Sequence, residues 1–443
     1  MMTTSRTLSG RGAAVAAAPR PSHRRPLVVS ALCWLVVLFD GMDVNVYGAV
    51  MPRMLADPGL GLTPAVAGTV GSWTTFGMLI GALVAGNLTD WTGRRPVIVG
   101  CTLLFSAGSA LCAGAQGVEA FGLGRFITGL GLGGVMPTCL SMVMEFAPGA
   151  RAALTAGALM TSYHVGGMLA TVLGLTLAAD GGWRSVFWAG AVPALVAVPL
   201  LLWLLPESPA VLLAKGRAAE ARKLAQRYGL RPPHATTAPA AGARARWHAA
   251  LALLRGTGRR ATPLLWVASF CGLLLVYGVS TWLPQLMRAA GYGPTSSVAF
   301  LLVINAGGMV GMLIAGAVAT RFGAARVSAV WFLLTAASAL LLAVRLPLPV
   351  TYVIVAVTGI WLFSAQVMVY ATVPTLYPAP QLAAGMGWAT GIGRLGAVVG
   401  PALGGAVVAQ GAQQWAFVTF AAVGLAGALA IHLAGKTPCH SET

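Results

Sequence analysis

Apolar runs of roughly twenty residues recur twelve times along this chain, and each is long enough to cross the hydrocarbon of a bilayer. The first six cover about 27–51, 64–88, 96–116, 119–146, 152–179 and 184–206. The second six cover about 262–288, 295–319, 327–346, 349–376, 383–409 and 414–434. The pattern predicts an all-α membrane protein of twelve transmembrane helices in two pseudo-symmetric six-helix bundles. Its expected parts are an N-terminal tail (1–26), a first bundle (27–206), a linker (207–260), a second bundle (261–435) and a C-terminal tail (436–443). Only 9% of the 443 residues are charged and 57% are hydrophobic. A soluble enzyme has too much surface to cover with so few charges, and a disordered chain is never this apolar.

The net charge of +18 invites a nucleic-acid reading, but position argues for the bilayer. With the N-terminus placed inside, 22 of the 28 basic residues fall in inside segments, eleven of them in the linker. Arg53, Arg184, Arg288 and Arg345 fall outside, and Arg125 and Arg394 fall within spans. Both termini are therefore expected in the cytoplasm, in a multi-pass protein of the inner (plasma) membrane. The first 25 residues hold no apolar stretch before Arg24 and read as a cytoplasmic tail, not a signal peptide. The six cysteines form no CxxC pair, so neither a disulfide framework nor a metal site is expected.

An internal repeat supports the count. Gly86, Asp90 and Gly93 close the second span, and Gly316, Thr320 and Gly323 close the eighth, at an offset of 230 residues. Pro148 and Pro378 follow the fourth and tenth spans at the same offset. Two six-helix halves related this way are the layout of a rocking secondary transporter, with its site near the midplane between them.

Gly86-Asn-Leu-Thr-Asp90-Trp-Thr-Gly93-Arg94-Arg95 resembles the signature loop of the major facilitator superfamily. Four segments resemble its aromatic acid:proton symporters: Asp40-Gly41-Met42-Asp43, Arg125-Phe-Ile-Thr-Gly129 and onward to Gly134, Tyr277-Gly-Val-Ser-Thr281-Trp282-Leu-Pro284, and Gly391-Ile-Gly393-Arg394-Leu-Gly396. The resemblance implies proton-coupled import of benzoate, hydroxybenzoates, protocatechuate or gentisate. Ser162 to Gly167 points to the benzoate and gentisate branch. The chain departs from the pattern at Thr320, where the family often has Asp, and near Leu382, where an Arg is expected. The charges survive in the first half alone, so a one-sided cytoplasmic gate of Asp90, Arg94, Arg95, Glu145 and Arg151 is expected, closed from the second half by helix ends and neutral hydrogen bonds.

Of the ten acidic residues only Asp40 and Asp43 lie well inside the expected hydrocarbon. Three residues apart, they share a helix face about 4.5 Å apart along the axis. Ionisable groups in a membrane mark ion pathways by default, and one of two neighbouring carboxylates is driven to hold a proton. With Arg125 as a switchable partner they form the expected proton-coupling set. Arg394 sits near the middle of its span with no acid in the second half to neutralise it. An anionic substrate would complete it, because a guanidinium matches a carboxylate bidentately. A ring slot is expected from Tyr47, Trp73, Tyr163, Trp282, Trp361, Phe363, Tyr370 and Trp388, with Asn305, Gln366 and His164 as polar mid-span groups. The substrate set is thus Arg394, Tyr47, Trp282, Asn305, Trp361 and Trp388. Glu207 is read as a latch or a helix cap, and 215–231 as a basic amphipathic helix lying on anionic lipid.

Gly129-Leu-Gly131-Leu-Gly133-Gly134 matches a dinucleotide fingerprint but follows no strand, and its glycines suit close helix packing instead. The expected protein is a monomeric symporter whose partners are a small aromatic carboxylate, a proton and the bilayer. It needs no cofactor beyond the proton as coupling ion, and it is no enzyme and binds no nucleic acid. The rivals are a multidrug:proton antiporter, a sugar or aliphatic acid porter, and a chemoreceptor that binds without transport.

Overall fold

The long apolar runs become long helices. The structure is a computed structural model that describes residues 24–147, 152–230, 253–254 and 258–436. Its first half comprises α1 (Arg24–Met54), α2 (Pro64–Thr92), α3 (Arg94–Gly114), α4 (Val118–Phe146), α5 (Ala152–Asp180) and α6 (Gly182–Leu204). Two short helices follow, α7 (Pro209–Ala214) and α8 (Ala218–Tyr228). The second half comprises α9 (Gly258–Ala289), α10 (Pro294–Phe322), α11 (Ala324–Leu342), α12 (Leu348–Leu376), α13 (Ala379–Ala409) and α14 (Gln413–Gly435). Among the described residues there are twelve helices long and apolar enough to cross a membrane, and no strand.

Most helices outrun their apolar cores. At 1.5 Å per residue the 29 residues of α2 reach about 44 Å, against roughly 30 Å of hydrocarbon. The extra turns stand in the headgroup zone, where hydropathy gives no signal, and this is why the helices begin and end up to a turn beyond the runs. Local chemistry fixes the ends. Pro64 opens α2 behind Thr63, whose Oγ1 accepts from the Val66 N–H at 3.4 Å. Gly93 closes it at φ +112°, and Gly323 closes α10 at φ +83°, a backbone region that favours glycine. Each donates its N–H to the carbonyl four residues back, Thr89 and Ala319. The 230-residue repeat is therefore one turn built twice.

Within the first half α2 and α3 pack on α4, α1 on α5, and α3 on α6; within the second α9 packs on α13, α10 on α12, and α11 on α14. The halves meet along α2–α13, α5–α10 and α1–α9. One face of the bundle carries the start of α1, the end of α14 and helices α7–α8; it is called here the linker face, and the opposite one the far face. Hydrogen bonds tie the halves at the midplane and beyond it toward the far face: Ser72 Oγ to the Val398 carbonyl (2.5 Å) and Arg288 to the Pro52 carbonyl (3.4 Å). A residual space of about 20 Å³ lies there between Thr74, Arg125, Tyr277 and Pro401. That holds no more than a water.

The linker corrects one expectation. The basic helix occupies 218–228 and turns its apolar face to the protein, not to lipid. Ala221 and Ala225 are buried, and Tyr228 packs edge-on against Phe146 of α4 at 5.1 Å. Packing on α4 takes this apolar face out of water and leaves the charged face exposed.

Candidate functional site

The midplane charges separate into two arrangements. Asp43 on α1 is wholly enclosed by the first half. Its Oδ1 accepts from Arg125 Nη1 at 2.8 Å, and its Oδ2 accepts from the Ser109 hydroxyl on α3. Arg125 Nε donates to Thr74 Oγ1 on α2 at 3.0 Å, and its guanidinium lies over the rings of Tyr47 (5.3 Å) and Phe187 (5.8 Å). Each charge is 2% exposed, so four helices of one half share a fully desolvated ion pair. Removing either member would strand the other charge in the core.

Asp40 lies one turn away, toward the linker face, in different surroundings. It is buried, and its Oδ1 has no hydrogen-bond partner. Arg394, half-buried near the middle of α13, acts on it electrostatically across the seam between halves. Arg394 makes no ion pair among the described residues. Tyr163 on α5 and Tyr277 on α9 lie close to both charges and to each other, Tyr370 on α12 lies close to Tyr277, and the Tyr277 hydroxyl donates to Met78 Sδ at 3.9 Å. Close backbone crossings set this arrangement. A Cβ on Gly41 would run into the Tyr163 backbone, and one on Gly396 into the Phe270 carbonyl. Glycine at these two places lets α1 press on α5 beside Asp40, and α13 press on α9 beside Arg394.

The other expected substrate residues sit in three environments. Tyr47 is a wall beside the ion pair, its hydroxyl donating to the Ala67 carbonyl at 2.7 Å. Asn305 on α10 joins the seam: its Nδ2 donates to Asn45 Oδ1 (3.3 Å) and its Oδ1 meets His164 Nδ1 (3.3 Å). Trp282 is 0% exposed and donates to the Pro401 carbonyl at 2.8 Å, committed to the packing of α9 on α13. Trp361 packs on Trp331 (5.9 Å) and Trp388 stacks on Trp266 (5.5 Å), all inside the second half. The structure thus brings Asp40 and Arg394 together with three tyrosines, and gives the three tryptophans packing partners. Tyr277 escaped the sequence reading as a site residue, although it stands in a family-like segment. Neither period nor charge marks one aromatic among many.

At the linker face Arg94 pairs with Glu145, and the Ser208 hydroxyl donates to the same carboxylate. Glu207 Oε1 accepts the N–H groups of Arg94 (2.9 Å), Arg95 (3.3 Å) and Ser208 (2.8 Å), capping α3. The side chain of Arg95 donates to the Leu202 carbonyl. Asp90 is exposed and outside these ion pairs, and Arg151 lies outside the described residues. The centre of the cluster is Glu207, whose signal was the Pro206-Glu207-Ser208-Pro209 motif.

Comparison with known proteins agrees with this architecture. The family model for the Major Facilitator Superfamily matches residues 33–371 and 306–440. The benzoate transport protein of Acinetobacter baylyi is 31% identical over 394 residues, 87% of this chain and 83% of that one. The gallate transporter of Pseudomonas putida is 34% identical over 398 residues, 88% of each chain. The gentisate transporter of Corynebacterium glutamicum is 31% identical over 418 residues, 92% of this chain and 87% of that one. The crystal structure of a D-xylose-proton symporter superposes with a TM-score of 0.73 at 17% identity, covering 94% of this chain and all of that one, a likeness of fold. This multi-pass membrane protein is no enzyme; it belongs to the Major Facilitator Superfamily, with aromatic acid transporters among its relatives.

Proposed function

We propose that the chain is a proton-coupled symporter that imports monocyclic aromatic carboxylates, benzoate-like first, by alternating access. The observation that carries this is Arg394: a cation at the midplane, without an ion pair among the described residues, close enough to act electrostatically on Asp40, whose buried Oδ1 has no hydrogen-bond partner. An incoming carboxylate docks on the Arg394 guanidinium, and the tyrosines of α5, α9 and α12 face its ring. Arg394 then no longer offsets the charge of Asp40, so Asp40 holds a proton in that state. Substrate and proton bind together because one cation serves both anions in turn, and such coupling is reciprocal. Arg125 and Asp43 keep the first half rigid beside this exchange. In this reading the protein is a monomer in the inner membrane, and the linker face is cytoplasmic. The relatives named as benzoate, gallate and gentisate transporters support the substrate class.

The test is uptake of labelled benzoate into proteoliposomes with and without an inward proton gradient, competed by 4-hydroxybenzoate, protocatechuate, gentisate and a cationic dye. Gradient-dependent accumulation blocked by the aromatic acids is expected. Proton-linked movement of the dye without benzoate uptake would overturn the reading and make the aspartates a cation site.

A further inference from the structure

Between the linker-face ends of α3 and α6 and the α7–α8 segment lies a groove of about 970 Å³ that the transport reading does not use. Its floor is apolar: Pro96, Val99 and Gly100 from α3, Leu202 from α6, and Leu212 and Leu224 from α7 and α8. Its rim is cationic, with Arg95, Lys215, Lys223 and Arg227. Two acids also line it: Glu220 is paired with Arg217 at 2.6 Å, and Glu207, which caps α3 through neutral N–H groups, keeps its charge, so the rim as a whole stays cationic. Arg95 and Lys215 donate to the carbonyls of Leu202 and Thr92, neutral partners that leave their charge uncompensated.

Two features place the groove at the edge of the bilayer. Trp91 and Trp203, neighbours of the lining residues Thr92 and Leu202, are 81% and 84% exposed. Exposed tryptophans at helix ends belong to the headgroup level. Beyond the floor, α3 and α6 continue with exposed Leu103, Leu104, Leu195 and Val196, which face hydrocarbon in a spanning helix. At Gly100 a Cβ would meet nothing within 4 Å, so the floor there is open. A soluble anion would use the rim alone; a molecule with a charged head and an apolar tail uses both.

We propose that this groove is a binding site for an anionic glycerophospholipid. Its phosphate rests on Lys215, Lys223 and Arg227, and one acyl chain follows the Val99–Gly100 floor toward the membrane. Basic pockets at the ends of spanning helices take such headgroups. Because Glu207 forms one wall and also caps α3 beside the Arg94–Glu145 pair, the bound lipid steadies α7–α8 on the first half.

The experiment is native mass spectrometry of the full chain released from detergent with phosphatidylglycerol, phosphatidylcholine or glycerol 3-phosphate added. Phosphatidylglycerol is expected to stay bound while phosphatidylcholine is lost. Lys223→Gln with Arg227→Gln should lower phosphatidylglycerol occupancy about tenfold or more, given the attraction each basic residue adds near an anionic headgroup. Gly100→Phe should lower it without touching charge, and Arg321→Gln with Arg326→Gln, exposed on the other half, should leave it unchanged. Equal retention of phosphatidylcholine, or equal loss in the control pair, would overturn the proposal. So would retention of glycerol 3-phosphate with indifference to Gly100→Phe, which would make the groove a site for soluble anions. Circular dichroism of each variant separates lost binding from lost fold, and the Gly100→Phe result stands if the rim variant fails to fold.

Discussion

Seven of the ten acidic residues lie in 27–206 and none lies in 261–435, although the two halves share one helical plan. In the first half Arg125, Arg94 and Arg184 each meet a carboxylate, those of Asp43, Glu145 and Asp57. In the second, Arg288 and Arg345 donate to backbone carbonyls, of Pro52 and Gly291. The three carboxylate pairs cancel charge locally and stiffen the first half, while Asp40 is left without a local partner. The second half has nothing with which to cancel Arg394, so its counter-charge has to come across the seam or from a ligand. An unequal division of acids between equal folds is what makes the seam the place where an anion can act.

The comparison breaks most severely at Asp43. Asp43→Asn leaves the Arg125 guanidinium without its carboxylate in a dry core, a loss of about 3–5 kcal/mol. The expected outcome is a large fall in folded yield and Tm in detergent, regained when Arg125→Met is added. A stable Asp43→Asn protein would mean that Arg125 is neutralised elsewhere.

Arg394 tests the other side. Arg394→Gln should reduce benzoate uptake about a hundredfold with the fold intact, from the roughly 2–5 kcal/mol carried by a buried hydrogen-bonded charge pair. Arg394→Lys keeps the charge and loses the bidentate fork, so its uptake should lie between the two. Uptake by Arg394→Gln at the parent rate would remove the carboxylate assignment. Asp40→Asn should keep exchange of labelled for unlabelled benzoate and lose accumulation driven by a pH gradient. Retained accumulation would move the coupling role to Asp43.

Much of this was legible in the sequence. The length of the apolar runs is a direct consequence of bilayer thickness, so twelve helices and their order followed from it. The loop glycines at 93 and 323 carried the repeat because only that backbone geometry ends a helix there. Asp40, Asp43, Arg125 and Arg394 stood out because charge within an apolar run is costly. The division of labour between Asp40 and Asp43 did not stand out: residues one turn apart differ only in what α3, α4, α5 and α13 bring to them. The role of the tryptophans was not legible, since a large aromatic fills packing gaps as readily as it meets a ligand; Trp282 is fully buried with its N–H satisfied, while Trp361 and Trp388 are only partly buried. The apolar face of α8 was equally ambiguous, because periodicity marks a face without saying what covers it.

The seam offers a smaller effect. Asn305→Leu removes the side chain that bonds both Asn45 and His164, two residues of the first half. Hydrogen bonds between membrane helices contribute roughly 0.6–2 kcal/mol, so far-face opening should rise about three- to thirtyfold. A cysteine placed at Ser72, beside the Val398 contact, should label correspondingly faster with an impermeant maleimide. Unchanged labelling would assign the far-face seal to packing alone.

The smallest effect compares the far-face loops. In the first half Asp57 accepts from Trp183 Nε1 (2.8 Å), the Gly59 N–H (2.9 Å) and Arg184 (3.2 Å). The Trp183 bond, then the Gly59 and Arg184 interactions, hold its carboxyl below the ordinary carboxylate value. In the second half the matching loop is tied by Tyr292, whose hydroxyl bonds the Leu346 carbonyl and Thr351, both at 2.8 Å. A depressed acid stabilises the fold above its unfolded value, about 3.9, and that contribution fades as pH falls through the lower folded value. Asp57→Asn should therefore lower Tm at pH 7, by an amount equivalent to under about 1 kcal/mol for a partly exposed pair, and the gap to the parent should narrow as pH falls below the unfolded value. Tyr292→Phe removes a neutral bond and should lower Tm equally at both pH values. If the two variants respond alike to pH, the loops do not share the charge asymmetry of the spans they join.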